Sequence, residues 1–397
     1  MARCVMNQRG GNAVAIVATM DTKQTEASYV ADFVKSAGRE VVFLDVGTTG
    51  LGLERSDDPA ALLKKIGLAA RDKVNALFAN GSITAIIGIA GGKGSGVFGE
   101  AVADLPFGFP KLLVSSARPA LLAELAARTD TLLYPTLVDL FGLNGFTVRV
   151  LTNAAHAVAA MSYTLPRKAR RRIVAITAFG VTTPAVNECV RLLEESGMES
   201  IVFPANGAGG RKMESLVDAG EFDAVIDLTT TELADELGGG TASAGPDRLT
   251  AAGRNGIPQL IAPGAVDIVN FGPKPTVPTQ YSQRKFYSHT PYTTLMRTTP
   301  EETFEIGRRT GEKLAASRGP VTVLWPALGV SDYDRDRGVF HDPLANRAWL
   351  DGLLSTLPVS VECRKLQSHI NDPVFARVAV DWILENIPKE VATDENV

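Results

Sequence analysis

The stretch Gly88-Ile-Ala-Gly-Gly-Lys-Gly-Ser-Gly-Val-Phe-Gly99 holds the densest run of chemistry-bearing residues in the chain. An apolar run enters glycines and leaves in a helical pattern. Backbone N–H groups and a helix N-terminus would then point at one spot, a seat for phosphate or carboxylate. A tight turn using positive φ accounts for one or two glycines, but not for Gly91, Gly92, Gly94, Gly96 and Gly99 together. Gly91, Gly92, Lys93, Gly94, Ser95 and Gly96 are therefore candidates for anion binding. Gly94 to Gly99 also reads GxGxxG, yet Lys111-Leu-Leu-Val-Ser115 stands where a dinucleotide site needs an acidic strand end. A Walker A loop fails too, because Gly94 follows Gly92-Lys93 and Ile87 occupies the place of its first glycine.

Other polar turns follow apolar runs. Thr19, Asp21 and Lys23 lie after the first such run, where Asp21 or Thr22 would also serve as a helix N-cap. Asp45 ends the second, ahead of Gly47-Thr-Thr-Gly50, at a position where mononucleotide folds hold a ribose hydroxyl. Ser115, Ser116 and Arg118 end the fourth. Later in the chain come Thr182-Thr-Pro184, Asn206-Gly-Ala-Gly-Gly-Arg211 and Thr229-Thr-Thr-Glu232. Glycines beside a guanidinium make the Asn206 to Arg211 loop a second candidate for an anion.

Three of the four histidines, His289, His341 and His369, lie in the last third of the chain. General acid–base chemistry suits His289 and His369, with Arg297 and Asp372 beside them, because histidine changes charge near neutral pH. Structural hydrogen bonding is the competing role, and Asp372 also fits as a helix cap. No HExxH or HxxxH spacing is present, so no metal site is expected. Cys4, Cys189 and Cys363 are far apart and form no CxxC pair, which disfavours a disulfide scaffold.

These turns need elements to position them. Strands are expected at Ala13 to Ala18, Val41 to Val46, Ile83 to Ile89, Lys111 to Ser115 and Leu132 to Tyr134. Helices are expected over Lys23 to Ala37, from Pro59 to about Asn80, and after the glycines. The pattern restarts after Arg172: strand Ile173 to Ala178, helix Pro184 to Ser196, strand Ser200 to Phe203. Shifted by 159 residues, Val14 to Val46 falls on Ile173 to Ala205 without a gap, so that Gly38 meets Gly197 and Val30 meets Cys189. Further strands are expected at Ala224 to Leu228, Gln259 to Ala262, Val321 to Trp325 and Val359 to Glu362. The Pro-rich segment Phe271 to Pro300 reads as irregular. A last helix should open at Asp372-Pro373 and run to about Asn386, with Phe375, Val378, Trp382 and Leu384 apolar. The expectation is an α/β chain of two related halves, with parallel sheets covered on both faces, divided in the basic stretch near 166 to 172 into 1–168 and 169–397.

Composition agrees with that outline. The 397 residues are 45% hydrophobic, 21% charged and carry a net charge of -4, with a pI near 5.7. At ~150 residues per domain, two or three cores fit. The charge balance excludes a dedicated nucleic-acid surface. No apolar run reaches the ~20 residues of a membrane span, no signal-peptide core is evident, and the cysteine usage suits a reducing cytoplasm.

Several motifs in order carry a family resemblance: Ala18-Thr-Met-Asp-Thr-Lys23, Gly91 to Gly96, Asp139-Leu-Phe-Gly-Leu-Asn144, Phe179-Gly-Val-Thr-Thr-Pro184, Asp227-Leu-Thr-Thr-Thr-Glu232, Asp267-Ile-Val-Asn-Phe-Gly272, Leu295-Met-Arg-Thr298 and His369-Ile-Asn-Asp372. The chain resembles the family of the ATP-binding inhibitory domain of the tomato tobamovirus-resistance protein and its uncharacterised bacterial relatives. The resemblance implies an α/β fold of two Rossmann-like subdomains with parallel sheets and a cleft between them, ATP binding in the N-terminal one, with or without magnesium, and a homodimer. It also implies a TIM-barrel-like domain, carried by the plant protein and expected here only as a separate partner. On this basis an ATP-binding protein, acting as an enzyme on a small anionic metabolite, is expected. The alternatives are a non-catalytic, nucleotide-tuned protein-binding module and an NAD(P)-dependent oxidoreductase, the last disfavoured by the glycine-free first turn.

Overall fold

The computed structural model describes residues 11–47, 50–51, 58–163 and 171–388. Cys4, Thr48, Thr49 and most of the basic stretch, with the expected boundary at 168/169, lie outside them. The chain divides into two compact units, Met1–Arg167 and Lys168–Val397.

The first unit alternates β1 (Ala13–Ala18), α1 (Met20–Ser36), β2 (Glu40–Asp45), α2 (Pro59–Ala79), β3 (Ile83–Ala90), α3 (Gly92–Ala101), β4 (Lys111–Ser115), α4 (Pro119–Arg128), β5 (Leu132–Pro135) and α5 (Thr147–Ala160). Its strands form one parallel sheet in the order β2-β1-β3-β4-β5. β1 is buried at every residue because helices cover both faces, which is why it reads as a continuous apolar run. Alternate residues supply the two cores. Val14, Ile16, Ile87 and Leu112 pack with Val30 and Val34 of α1 and Leu151 of α5. Ala15, Val17, Ile86 and Leu113 pack with Ile66 of α2 and Phe98 of α3. Burying each large aliphatic side chain stabilises the unit by about 1.5–3 kcal/mol. Local signals set the helix starts: Asp58 Oδ1 accepts from the Ala60 and Ala61 amides at 2.9 and 3.2 Å, ahead of Pro59 at the first helical position.

The second unit begins the same way, with β6 (Ile173–Ala178), α6 (Thr183–Glu195), β7 (Glu199–Pro204), α7 (Ala208–Asp218), β8 (Ala224–Thr229) and α8 (Thr231–Gly238). It continues with α9 (Ala251–Asn255), β9 (Gln259–Gly264), β10 (Ile268–Phe271), β11 (Phe286–Thr290), β12 (Thr293–Arg297), α10 (Pro300–Leu314), β13 (Val321–Pro326), α11 (Pro343–Thr356), β14 (Glu362–Leu366) and α12 (Pro373–Asn386). The parallel sheet runs β14-β13-β9-β8-β6-β7. β7-β6-β8 repeats β2-β1-β3, and the 159-residue shift carries β2 onto β7. Val30 and Cys189, paired by that shift, are both fully buried.

Three expectations are corrected here. The Pro-rich segment is ordered: β11 and β12 join β10 in a three-stranded antiparallel sheet, order β10-β12-β11. The last strand starts at Glu362, where it was expected to end, because Pro358 and its neighbours form a turn after α11. In α12 the buried stripe is Phe375, Ala376, Ala379, Val380, Trp382 and Ile383, and Leu384 is 36% exposed.

Candidate functional site

In doubly wound sheets, ligands bind beyond the carboxyl ends of strands where the chain reverses its direction of travel. In the first unit that point lies between β1 and β3. Thr19 follows β1 and Gly91 follows β3, and a Cβ built on Gly94 would lie 3.7 Å from Thr19 Oγ1.

The glycine stretch is a helix rather than a loop. Gly91 caps it with φ -89°, and α3 begins at Gly92. None of Gly91, Gly92, Gly94 or Gly96 has positive φ, so the tight-turn explanation falls away. Packing explains other glycines of the motif: a Cβ at Gly88 would lie 2.5 Å from Phe98 and 2.8 Å from Leu113, and one at Gly99 would lie 2.2 Å from Leu125. At Gly92 and Gly96 nothing lies within 4 Å. The fold does not require glycine at either position, and Gly96, inside the helix, costs about 1 kcal/mol against alanine.

Two hydroxyls lock this helix to the next loop. Buried Ser95 donates to the Gly91 carbonyl at 2.8 Å and pairs with Ser115 Oγ at 2.7 Å, while Ser115 Oγ accepts from the Ala117 amide at 2.9 Å. Their hydroxyls thus serve the scaffold, and they bring the N-termini of α3 and α4 to one cleft. It measures about 380 Å³ and is lined by Gly92, Lys93, Ser116, Ala117, Arg118 and Leu121. Lys93 and Arg118 are exposed, and among the described residues neither has an ion pair. Ser116, named from the sequence at the end of the fourth strand, is among the lining residues, whereas Leu121 escaped the sequence reading, since only the approach of α3 to α4 shows which face of α4 is open.

The remaining candidates of this unit have partners within the fold. Asp45 Oδ1 accepts from the Met20 amide at 3.0 Å and the Gly47 amide at 2.8 Å, capping α1 from the neighbouring strand. Lys23 Nζ donates to the Leu140 carbonyl and lies 3.9 Å from Glu26. Buried Glu26 accepts from the Gly142 amide at 2.9 Å, and Ser116 Oγ donates to Asp139 at 2.9 Å. Lys23, Glu26 and Ser116 together strap down the Asp139–Asn144 motif. Asp21 stays exposed beside Thr19.

In the second unit the four candidates do not converge as a set. His289 is exposed on β11, with Nδ1 2.9 Å from Tyr333 Oη. Arg297, 5% exposed, gives its N–H groups to the Phe340 carbonyl at 2.8 Å, Thr298 Oγ1 at 2.7 Å and Asn346 Oδ1 at 3.2 Å. His369 Nε2 donates to the Ser331 carbonyl at 3.0 Å and Nδ1 accepts from the Asn371 amide at 3.1 Å. Burial lowers its pKa, and the neutral ring is committed at both nitrogens. Asp372 does not cap α12 with its side chain; Oδ2 instead accepts from the His369 amide at 2.8 Å. The segment Ser331–Asp342 touches three of these residues. It also holds Asp334, which with Asp267 forms a buried acidic pair not singled out from the sequence for chemistry.

The Asn206–Arg211 loop is not open to a ligand. Glu232 Oε1 accepts from the Gly207 amide at 2.7 Å and the Gly210 amide at 3.2 Å, so the anion expected there is a side chain of the protein. Among the described residues no three His, Cys, Asp or Glu side chains cluster to hold a metal ion, and no helix is long and apolar enough to cross a membrane.

The fold and these turns define a two-unit α/β protein built from doubly wound parallel sheets, with a cationic cleft at a helix N-terminus of its first unit. The chain belongs to the Uncharacterised protein family (UPF0261): the C-terminal domain of that family matches residues 171–387, and its N-terminal domain matches 12–62 and 53–166. A UPF0261 protein of Rhizobium meliloti is 38% identical over 92% of this chain and 97% of its own length. The ToMV resistance protein Tm-1(GCR237) of Solanum lycopersicum is 36% identical over 78% of this chain and 42% of its own. The ToMV susceptible protein tm-1(GCR26) of the same plant is 33% identical over 94% and 51%. The chain thus spans about half, or less, of the tomato proteins. Among solved structures, Acinetobacter baumannii MurG aligns over 94% of this chain and 99% of its own at 11% identity, with a TM-score of 0.23, too slight a likeness to bear on function.

Proposed function

We propose that the first unit binds the phosphates of ATP in the cleft between α3 and α4. The observation that carries this reading is the cleft itself, where two helix N-termini meet Lys93 and Arg118, neither of which has an ion pair among the described residues. Bare backbone at Gly92 and Gly96 leaves room for close approach. Thr19 and Asp21 border the same strand edge, and magnesium would arrive on the nucleotide, since that ion binds through phosphates and few protein ligands. Turnover of a small anionic metabolite extends the reading. Calorimetric titration with ATP and magnesium tests it: Arg118→Glu and Lys93→Glu should each weaken binding about tenfold or more. No binding at millimolar nucleotide, or affinity unchanged in both variants, overturns it.

One observation favours a second reading, a nucleotide-tuned docking module. Leu137, Phe141 and Phe146 are 94%, 86% and 68% exposed in one segment, Leu137 adopts φ +57°, and Ser116 of the cleft bonds to Asp139 within it. Exposed apolar side chains at this density mark docking surfaces. A second copy of the chain, giving the homodimer, and a separate TIM-barrel-like protein are the candidate occupants. Light scattering and pull-down with Phe141→Ser, with and without ATP, test it, and assembly unchanged by the substitution counts against it.

A further inference from the structure

The two units place opposite charges at one corresponding position. Lys93 is the second residue of the helix after the third strand of the first unit, and Glu232 is the second residue of the helix after the third strand of the second. Glu232 is 1% exposed and its carboxylate is gripped on both oxygens. Oε1 takes the Gly207 and Gly210 amides at the start of α7, and Oε2 takes Arg248 Nε at 2.6 Å. Arg248, itself fully buried, also pairs with Asp227 and with Glu214 at 3.1 Å. Gly207 has φ +85°, and a Cβ at Gly210 would lie 2.3 Å from Glu232 Oε2. The turn is therefore shaped around a carboxylate already in place, by two glycines that no other residue replaces without strain or collision.

We propose that the Gly207–Gly210 turn and Arg248 form a second anion seat whose resident ligand is Glu232, so that of these two sites only the cleft at Lys93 in the first unit stays exchangeable. The seat stands independently of the nucleotide reading; only the stoichiometry of one nucleotide per chain rests on it. The structural logic is electrostatic. The two backbone amides need an acceptor, which Glu232 Oε1 supplies, and its Oε2 adds a third carboxylate contact to Arg248. A carboxylate tethered one helical turn from β8 fills the seat at far higher effective concentration than any free anion.

Removing the tethered ligand should make the seat responsive to free anions. Glu232→Ala, with Arg248 still paired to Asp227 and Glu214, is heated with acetate or inorganic phosphate against chloride at equal ionic strength. The tryptophan fluorescence melt of its second unit should rise by about 5 °C or more at a hundredfold excess over Kd, while in wild type and Glu232→Gln, which keeps an acceptor for both amides, that melt shows no anion-specific rise. A response of Glu232→Ala no larger than that of wild type overturns the proposal. Should that variant not fold, amide exchange in the wild-type chain decides: Gly207 and Gly210 protected like helix amides support the seat, and exchange at open-loop rates refutes it. Calorimetry separates the two readings, since an absence of ATP heat removes the nucleotide reading alone. Two ATP equivalents per chain would show that Glu232 does not close its seat.

Discussion

Asp267 illustrates how one buried group makes stability depend on pH. Its side chain is fully buried; Oδ2 bonds Ser331 Oγ at 2.7 Å, and Oδ1 has no hydrogen-bond partner among the described residues. Asp334 beside it accepts from the Val330 amide at 2.9 Å and the Asp342 amide at 3.2 Å, and lies 3.7 Å from Arg297. Burial first, and then the charge of Asp334, push Asp267 up to about 7 from an ordinary 3.8. The folded chain therefore holds this proton more tightly than the unfolded chain. The stability linked to it is complete below about pH 4 and is lost as pH rises to about 7. Asp267→Asn, which mimics the neutral acid, should flatten that slope and exceed wild type in Tm at pH 8. Asp235, also pushed up to about 7 by burial, leaves a residual slope in both proteins. Equal pH slopes for variant and wild type in thermal melts would show that Asp267 is not the titrating group.

At the scale of elements, the β3–α3 junction separates glycines that packing requires from glycines that it does not. Gly88 on β3 abuts Phe98 and Leu113, so Gly88→Ala forces core side chains apart and should cost about 1–3 kcal/mol. Gly96 has open space around its missing Cβ and a helical φ. Gly96→Ala should leave stability unchanged or raise it by up to about 1 kcal/mol, and Gly92→Ala should be tolerated as well, while nucleotide affinity falls in both. Denaturant melts paired with ATP titration check the contrast. Variants at 92 and 96 that bind ATP like wild type would detach these glycines from the ligand. The sequence showed that this motif joins a strand to a helix, but not that the helix already starts at Gly92. A run of glycines has poor helix propensity, and beside the local bond from Ser95 to the Gly91 carbonyl, the first turn is held by the Ser95–Ser115 bond, which joins parts of the chain 20 residues apart.

Across the whole molecule, each unit has its own sheets and cores, and all three tryptophans, Trp325, Trp349 and Trp382, lie in the second. Tryptophan fluorescence therefore reports on the second unit alone. ATP at a hundredfold excess over Kd should stabilise the first unit by about 2.7 kcal/mol, raising its calorimetric transition while the fluorescence melt stays in place. A fluorescence melt that moves with ATP while the calorimetric transition of the first unit stays fixed would place the nucleotide in the wrong unit.

Strand and helix order, the two-fold repetition and the candidate turns were legible along the chain, because continuous apolar strands and helical spacing are local consequences of a sheet covered on both faces. Local sequence also marked Lys93 and Arg118 as cations near strand ends. Tertiary structure alone decided which polar residues remain open. Arg297, His369 and Asp45 looked available as isolated letters, yet each is bound to backbone groups brought from distant segments. Glu232 looked like one more polar residue after a strand, and only the fold of α7 beside α8 makes it a ligand. A hydrogen bond satisfies whichever partner packing brings nearest, and sequence distance does not record that. For the same reason the small antiparallel sheet inside the Pro-rich segment was hidden: its strands are short, and their register depends on the β10 edge they join.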